Sequence, residues 1–522
     1  MNKKRLLTGL ALMAASALVV AGCGDTGTDS TGDGEKTLVI DATFDAFDTT
    51  DPARERSSMG GLSIKAMYES LITFDGGDVS KTVPGLATMT VNDEYTEFTF
   101  KLDTTRKFVS GATLTVDDAV YTLERARSLD TLNSPYLANL TFTKTDEETL
   151  TITSPTPRPE LPGVLGSSWA GIVEKKVVEE NGGTMGEGDT ADKWFNTATA
   201  GTGPYTIDRA DFSSELVLKR NPNYNGDKPA GYDRIILRKA DTSTQLMSLQ
   251  AGDAQMVLDI SPSEAATLDA SMVLSTPSLS SIYLLTNFDF FGYEGLTGLR
   301  AAIDYDALVA QAGAGAQQLN SIIPFQFAGA APESARLKRD LAVAEPIASA
   351  FGETIDLSYL SDATIYGLQF TSLAEMLQAQ LQEAGFKVEL KPTPGSVFWA
   401  DYMAGTIEVG LAYWLPEYLD PAGYLVFAPK NQWAEENVFG DVYANWTQAS
   451  PEFTETIGEC YTLVDPAARN AAFAKWGELS NKESAYVPLF QPAVNIGHAA
   501  EVEGIVYNGM WTVDVGYLKP AS

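Results

Sequence analysis

The segment TSLAEMLQAQLQEAGFKVELK, residues 371–391, changes its hydrophobic period part-way along. Leu373, Met376, Leu377, Leu381 and Ala384 recur at helical spacing. Gly385 then offers the backbone freedom that ends a helix, and Phe386, Val388 and Leu390 alternate as strand residues do. A helix that runs straight into a strand buries its apolar face best against a sheet. STQLMSLQAGDAQMVLDI, residues 243–260, repeats the order helix, glycine, strand. Two such units far apart predict an α/β fold with mixed sheets. Shorter signals agree. KTLVIDATF opens the globule as a strand, and YTEFTFKL, residues 95–102, alternates aromatic and polar residues like a half-buried strand. GATLTVDDAVYTLERARSL predicts a helix capped by Thr115, with Asp118 three residues on and Ala119, Val120 and Leu123 along one face. No internal repeat is visible.

The amino terminus carries other information. MNKKRLL supplies three basic residues, an apolar run follows from Leu6 to Val20, and small residues precede Cys23, the pattern of an export signal. The run is shorter than the roughly 20 residues a membrane-spanning helix needs. Val20-Ala21-Gly22-Cys23 resembles a bacterial lipobox, which implies cleavage before Cys23 and lipid on its sulfur. Residues 1–22 are therefore expected to be a lipoprotein signal peptide. Residues 23–36, rich in Gly, Asp, Ser and Thr, read as a flexible lipidated tether. Acyl chains on Cys23 would hold the protein at a membrane without spanning it, each buried CH₂ contributing about 0.8 kcal/mol. An ordinary signal peptide followed by a chance cysteine is the plainer alternative.

Composition excludes several function classes. Acids outnumber bases 69 to 36, a net charge of −33, which argues against nucleic acid and against broad contact with anionic lipid. The second of two cysteines, Cys460, has no partner for a disulfide once Cys23 is lipidated and reads as a small buried apolar residue. One histidine, His498, rules out a His-rich metal site, and no EF-hand spacing occurs. GSSWA around Ser168 lacks the last glycine of a nucleophile elbow, and no Walker A motif is present. No catalytic residue, metal or cofactor is expected, and an exported hydrolase is disfavoured.

Five blocks in register resemble a known family. MYESLITFDGGDVSKTVPGLATMTVNDEYTEFTFKLDTTRKFVSGATLTVDDAVYTLERA comes first, then GTGPYTI (201–207) and KRNPNYNGDKP (219–229). LQAGDAQMVLDI and LTNFDFFGYEGLTGLRAAIDYDALV, with Arg300 and Asp304, complete the series. From about residue 37 to 518 the chain is similar to the family 5 extracellular solute-binding proteins of ABC importers, the dipeptide- and oligopeptide-binding group. It departs from the family pattern at KFVSGATL and at WLPEYLDP, where the family more often has Trp-x-x-Asp-Tyr-x-Asp-Pro. The resemblance implies a two-lobe periplasmic-binding-protein-like fold of type II, with hinge strands and an extra subdomain inserted in lobe I. Lobe I is expected over 37–280, its inserted subdomain over about 65–199, lobe II over 281–486, and a return to lobe I over 487–522. It further implies a monomer, lipid-anchored outside the cell, that passes a peptide or other solute to ABC permease subunits driven by a separate ATPase.

The resemblance also nominates residues. Trp414 and Glu417 match a tryptophan and an acid that face the cleft in peptide-binding members, the acid taking the peptide's α-ammonium. A poorly hydrated ammonium needs a carboxylate, and an indole face adds area and cation–π attraction. The competing structural reading makes Trp414 and Tyr418 core aromatics and leaves Glu417 on the surface. Asp420, before Pro421, is a ligand candidate that reads equally as a turn residue. Phe44, Asp45 and Phe47 lie where lobe I lends groups to ligand, or form a solvated loop with two packed rings. Arg300 reads as a fold anchor, while Trp399 and Tyr402 stay undecided between core and pocket wall. Within this scaffold the ligand is expected to be a di- or oligopeptide, with an oligosaccharide as the rival and nickel disfavoured. A peptide sensor or chaperone is the non-transport alternative.

Overall fold

Two large sheets, each built from strands distant in sequence, organise the chain. The computed structural model describes residues 35–44, 47–227, 230–428 and 450–521; Cys23, the expected signal peptide and Asp45 lie outside the described residues. At the centre of the first sheet lies strand Thr37–Ala42, with Leu38, Ile40 and Ala42 fully buried. Strands Arg234–Lys239 and Met256–Val257 run parallel to it on either side. Glu215–Arg220 and Tyr205–Asp211 extend one edge antiparallel; Ala493–His498 and Val273–Pro277 extend the other, giving seven strands. The expected helix before Met256 spans Thr242–Ala251 and stops at Gly252, whose φ of 79° is left-handed.

The second sheet has six strands, with Ser281–Thr286 held between antiparallel Tyr486–Gln491 and Val409–Trp414. All six residues of SIYLLT are buried, which suits an unbroken apolar run in a strand covered on both faces. Thr354–Leu360 runs parallel to both Val409–Trp414 and Lys387–Thr393, and helix Phe370–Glu383 makes the connection to the latter. Gly385, at φ 102°, turns that helix into its strand, as the change of hydrophobic period predicts. The sheets are mixed, as expected for this α/β class.

A smaller antiparallel sheet of Ala87–Val91, Glu97–Leu102, Thr149–Thr153 and Thr141–Lys144 lies within the expected insertion. Helix Val116–Ser128 packs beside it. Thr115 and Asp118 form a reciprocal capping box at its start, which satisfies amides that the helix itself leaves open. The chain passes between the two large sheets twice: through Ser278–Ser280, which joins Val273–Pro277 to Ser281–Thr286, and through Pro492, which joins Tyr486–Gln491 to Ala493–His498. No helix of the described residues is long and apolar enough to cross a membrane. Cys460 is buried in helix Pro451–Thr462.

Candidate functional site

A cavity of about 290 Å³ is walled from both sheets. From the first come Thr43 and Asp259, which follow the parallel strands Thr37–Ala42 and Met256–Val257, and Glu55, just before helix Ser58–Met67. The second contributes Tyr413 and Glu417, at and beyond the end of Val409–Trp414, and Tyr366 from a hairpin tip. Trp169 enters from the segment that follows the smaller sheet. Loops at the carboxyl ends of parallel strands are where α/β folds place ligands, because the crevice there is open and ringed by loops.

Glu417 is the most unusual group in this wall. Its Oε2 is buried without a hydrogen-bond partner. Burial pushes its pKa up from 4.5 to about 8, and the nearby Tyr136 hydroxyl opposes that rise only weakly. The residue's surroundings are closely packed. Trp169 Nε1 donates to the Glu417 carbonyl at 3.2 Å, and the Tyr136 ring meets Tyr418 edge-on at 5.0 Å. Arg158 Nη2 donates to the Tyr136 carbonyl at 2.7 Å while its Nε pairs with buried Glu160. Gly163 closes the packing: a Cβ there would sit 2.7 Å from the Leu419 carbonyl, so the two surfaces meet at backbone distance.

On the other wall, Glu55 is 7% exposed, accepts from the Ser57 amide, and is pushed up to about 8 by burial despite its main-chain bonds. Asp259 Oδ2 accepts from the Thr43 amide at 2.8 Å and from its hydroxyl at 3.1 Å. Tyr366 has φ 47°, rare for a bulky residue, and its hydroxyl lies 3.0 Å from that of Ser280 in one of the two crossings. That strain fits a two-residue hairpin between Thr364–Ile365 and Leu368–Gln369.

The nominated residues are distributed unevenly. Glu417 lines the cavity. Trp414 does not, although Tyr413 and Leu415 do; its ring packs edge-on against Phe427 at 5.6 Å. The alternation of side chains along an extended segment accounts for this. Asp420 accepts from the Ala422 amide at 2.8 Å, capping helix Pro421–Phe427, and holds Arg469 through two bonds of 3.0 and 2.6 Å. Phe44 and Phe47 are buried edge-to-face at 5.3 Å, with Phe47 also on Phe212, while the neighbouring Thr43 reaches the cavity. Asp45 lies outside the described residues. Arg300 is buried and donates to the carbonyls of Lys482 and Ser484, an anchor within the fold.

The family model described as "Bacterial extracellular solute-binding proteins, family 5 Middle" matches residues 81–435. The chain belongs to this family. The probable D,D-dipeptide-binding periplasmic protein DdpA of Escherichia coli K12 is 23% identical over 481 residues, 88% of this chain and 90% of its own. The glutathione-binding protein GsiB of Shigella dysenteriae is 23% identical over 483 residues, 89% of this chain and 91% of its own. The periplasmic binding protein DppA of Helicobacter pylori, solved with peptide STSA, superposes with a TM-score of 0.77 at 18% identity, covering 94% of this chain and 99% of its own.

A family 5 solute-binding protein has the two-lobe fold that the sequence predicts, and it binds rather than catalyses. Neither Ser168 nor His498 lines the cavity. Sequence reasoning passed over Glu55, Tyr136, Trp169, Asp259, Tyr366 and Tyr413. Of these, only Tyr366 carried a local signal, the Tyr-Gly pair of a tight turn. The others are ordinary residues until the fold brings them to one place.

Proposed function

We propose that this solute-binding protein captures a short peptide by its free amino terminus and serves a peptide importer. The observation that carries this reading is Glu417: a carboxyl in the cavity wall, its Oε2 buried and unbonded, with no ion-pair partner among the described residues. A ligand ammonium would supply the missing charge. The Tyr136 hydroxyl, close to that carboxyl, would help to orient it. A volume of about 290 Å³ sits at the small end of ligand pockets, roughly 300–1,000 Å³, and suits a di- or tripeptide. The dipeptide and glutathione named for the relatives, and the peptide in the Helicobacter structure, favour the same class.

In this reading the crossings at Ser278–Ser280 and Pro492 act as the hinge, and the cavity forms as the lobes meet. A ligand that touches both walls binds the closed state better and so shifts the population toward it. The closed protein delivers its ligand to a permease with a separate ATPase, and Cys23 carries the lipid that keeps it at the outer face of the membrane. The test is Glu417→Gln, titrated calorimetrically with free and N-acetylated tripeptides. Loss of a buried charge partner costs about 2–5 kcal/mol, so free peptides should bind the variant at least about 30-fold more weakly. Acetylated peptides should bind both proteins poorly. Unchanged affinity for free peptides would refute the assignment.

A further inference from the structure

We propose that the cavity contains a second cation subsite, at Glu55, and that the favoured ligands are short peptides with a lysine or arginine side chain close to the free amino terminus. This rests on the reading of Glu417 as the ammonium partner.

The charges of the wall point this way. Glu55, Asp259 and Glu417 face one basic residue, Arg56. The guanidinium of Arg56 is already engaged: its Nη2 lies 2.9 Å from Asp48, in a pair that is more than half exposed. The cavity therefore holds more carboxyl groups than a single ammonium would pair with.

How this chain treats its other buried acids sharpens the point. Arg125 clasps Asp51 and Asp189, Arg158 pairs with Glu160, and Arg238 with Asp41. Asp118 is spent on a helix cap, and Glu174 has Lys176 and the Ser110 side chain nearby. Glu55, more than nine-tenths buried, has no ion-pair partner among the described residues; main-chain amides, Ser57 first, are its hydrogen-bond donors. The chain also makes room for it, since a Cβ on Gly60 would lie 2.5 Å from Glu55 Oε1. A carboxylate removed from water without a cation holds its proton, and burial does push Glu55 up to about 8. A basic side chain entering the cavity would restore the charged form. Glu55 lies on the first-sheet wall and Glu417 on the second-sheet wall, so one dicationic ligand would satisfy a carboxylate on each side.

The experiment compares free tripeptides that differ only in one side-chain charge: Ala-Lys-Ala and Lys-Ala-Ala against norleucine analogues of the same length, with Ala-Ala-Ala and its N-acetyl form as references. Each is titrated into wild-type protein and Glu55→Gln, whose amide keeps an acceptor oxygen for the Ser57 amide. At least one lysine peptide should bind wild type about tenfold more tightly than its norleucine analogue, and this gap should shrink to within about twofold in Glu55→Gln. Equal binding of lysine and norleucine peptides to wild type overturns the proposal, as does a preference that survives in the variant. If Glu55→Gln does not fold, the wild-type comparison alone decides. If Ala-Ala-Ala binds and acetylation abolishes it while lysine adds nothing, the Glu55 subsite falls and the Glu417 reading stands. If no free peptide binds, both fall.

Discussion

Asp51 and Glu55 lie four residues apart, at the two ends of the short helical turn Pro52–Arg54, and the fold handles their charges in opposite ways. Asp51, fully buried, takes two bonds from Arg125, which also grips Asp189 and stacks on Phe195. Glu55, nearly as buried, receives backbone amides and faces a cavity. Arg125 is held in its charged form by its two carboxylates, against the desolvation that opposes it. Burial dominates at Glu55 and raises its pKa. The first arrangement is closed on itself and stabilises one loop geometry. The second is complete only when something else arrives. Arg125 thus ties Asp51 into the scaffold, and in the reading proposed above Glu55 is left for a ligand cation.

The largest effect should come from breaking the closed arrangement. Arg125→Met leaves Asp51 and Asp189 buried with only the partly exposed Arg54 nearby, and removing one partner of a buried pair costs about 3–5 kcal/mol. Thermal and denaturant unfolding should show that loss. A cost below about 1 kcal/mol would mean that Arg54 suffices and that the two regions differ less than stated.

Over any one pH unit the open arrangement makes a smaller prediction, of opposite kind. Glu55 and Glu417 hold protons in the folded protein at pH values where the unfolded chain has released them. Their contribution to stability is therefore complete below about pH 4.5 and is lost as pH rises through about 8. The slope is up to about 1.4 kcal/mol per pH unit for each group. Ligand-free Glu55→Gln/Glu417→Gln should lack this part of the decline. Wild type and the double variant sharing one pH profile would remove the distinction between cleft and scaffold carboxyls.

Smallest is the proton balance of binding. Near pH 7 an ammonium arriving at Glu417 should displace about one proton, and a lysine peptide that also fills Glu55 nearly two. Calorimetry in buffers of different ionisation enthalpy measures the number. The same proton count for lysine and norleucine peptides would place the lysine side chain away from Glu55.

Legibility from sequence followed the range of the interactions. The helix, glycine and strand of 371–391 were readable because each decision is local: helical spacing of apolar residues, then Gly385 at φ 102°, then alternation. The capping box of Thr115 and Asp118 spans three residues and was equally plain. The cavity was harder. Only resemblance singled out Glu417, and nothing local distinguishes Trp414 from Tyr413, although strand alternation sends the second to the cavity and the first toward Phe427. Asp420 looks the same in sequence whether it meets a ligand or Arg469, 49 residues away. Tyr136 and Trp169 reach Glu417 across sequence gaps of more than two hundred residues, beyond any periodicity.

By itself the sequence determined the α/β class, the helices and strands that alternate within it, and the family, because hydrophobic period, caps and motif order are properties of neighbouring residues. Tertiary structure alone decided which carboxyls lose water and which of those receive a guanidinium. That outcome depends on desolvation and on distances of a few ångströms between residues far apart along the chain, and it is what separates Glu55 from Asp51.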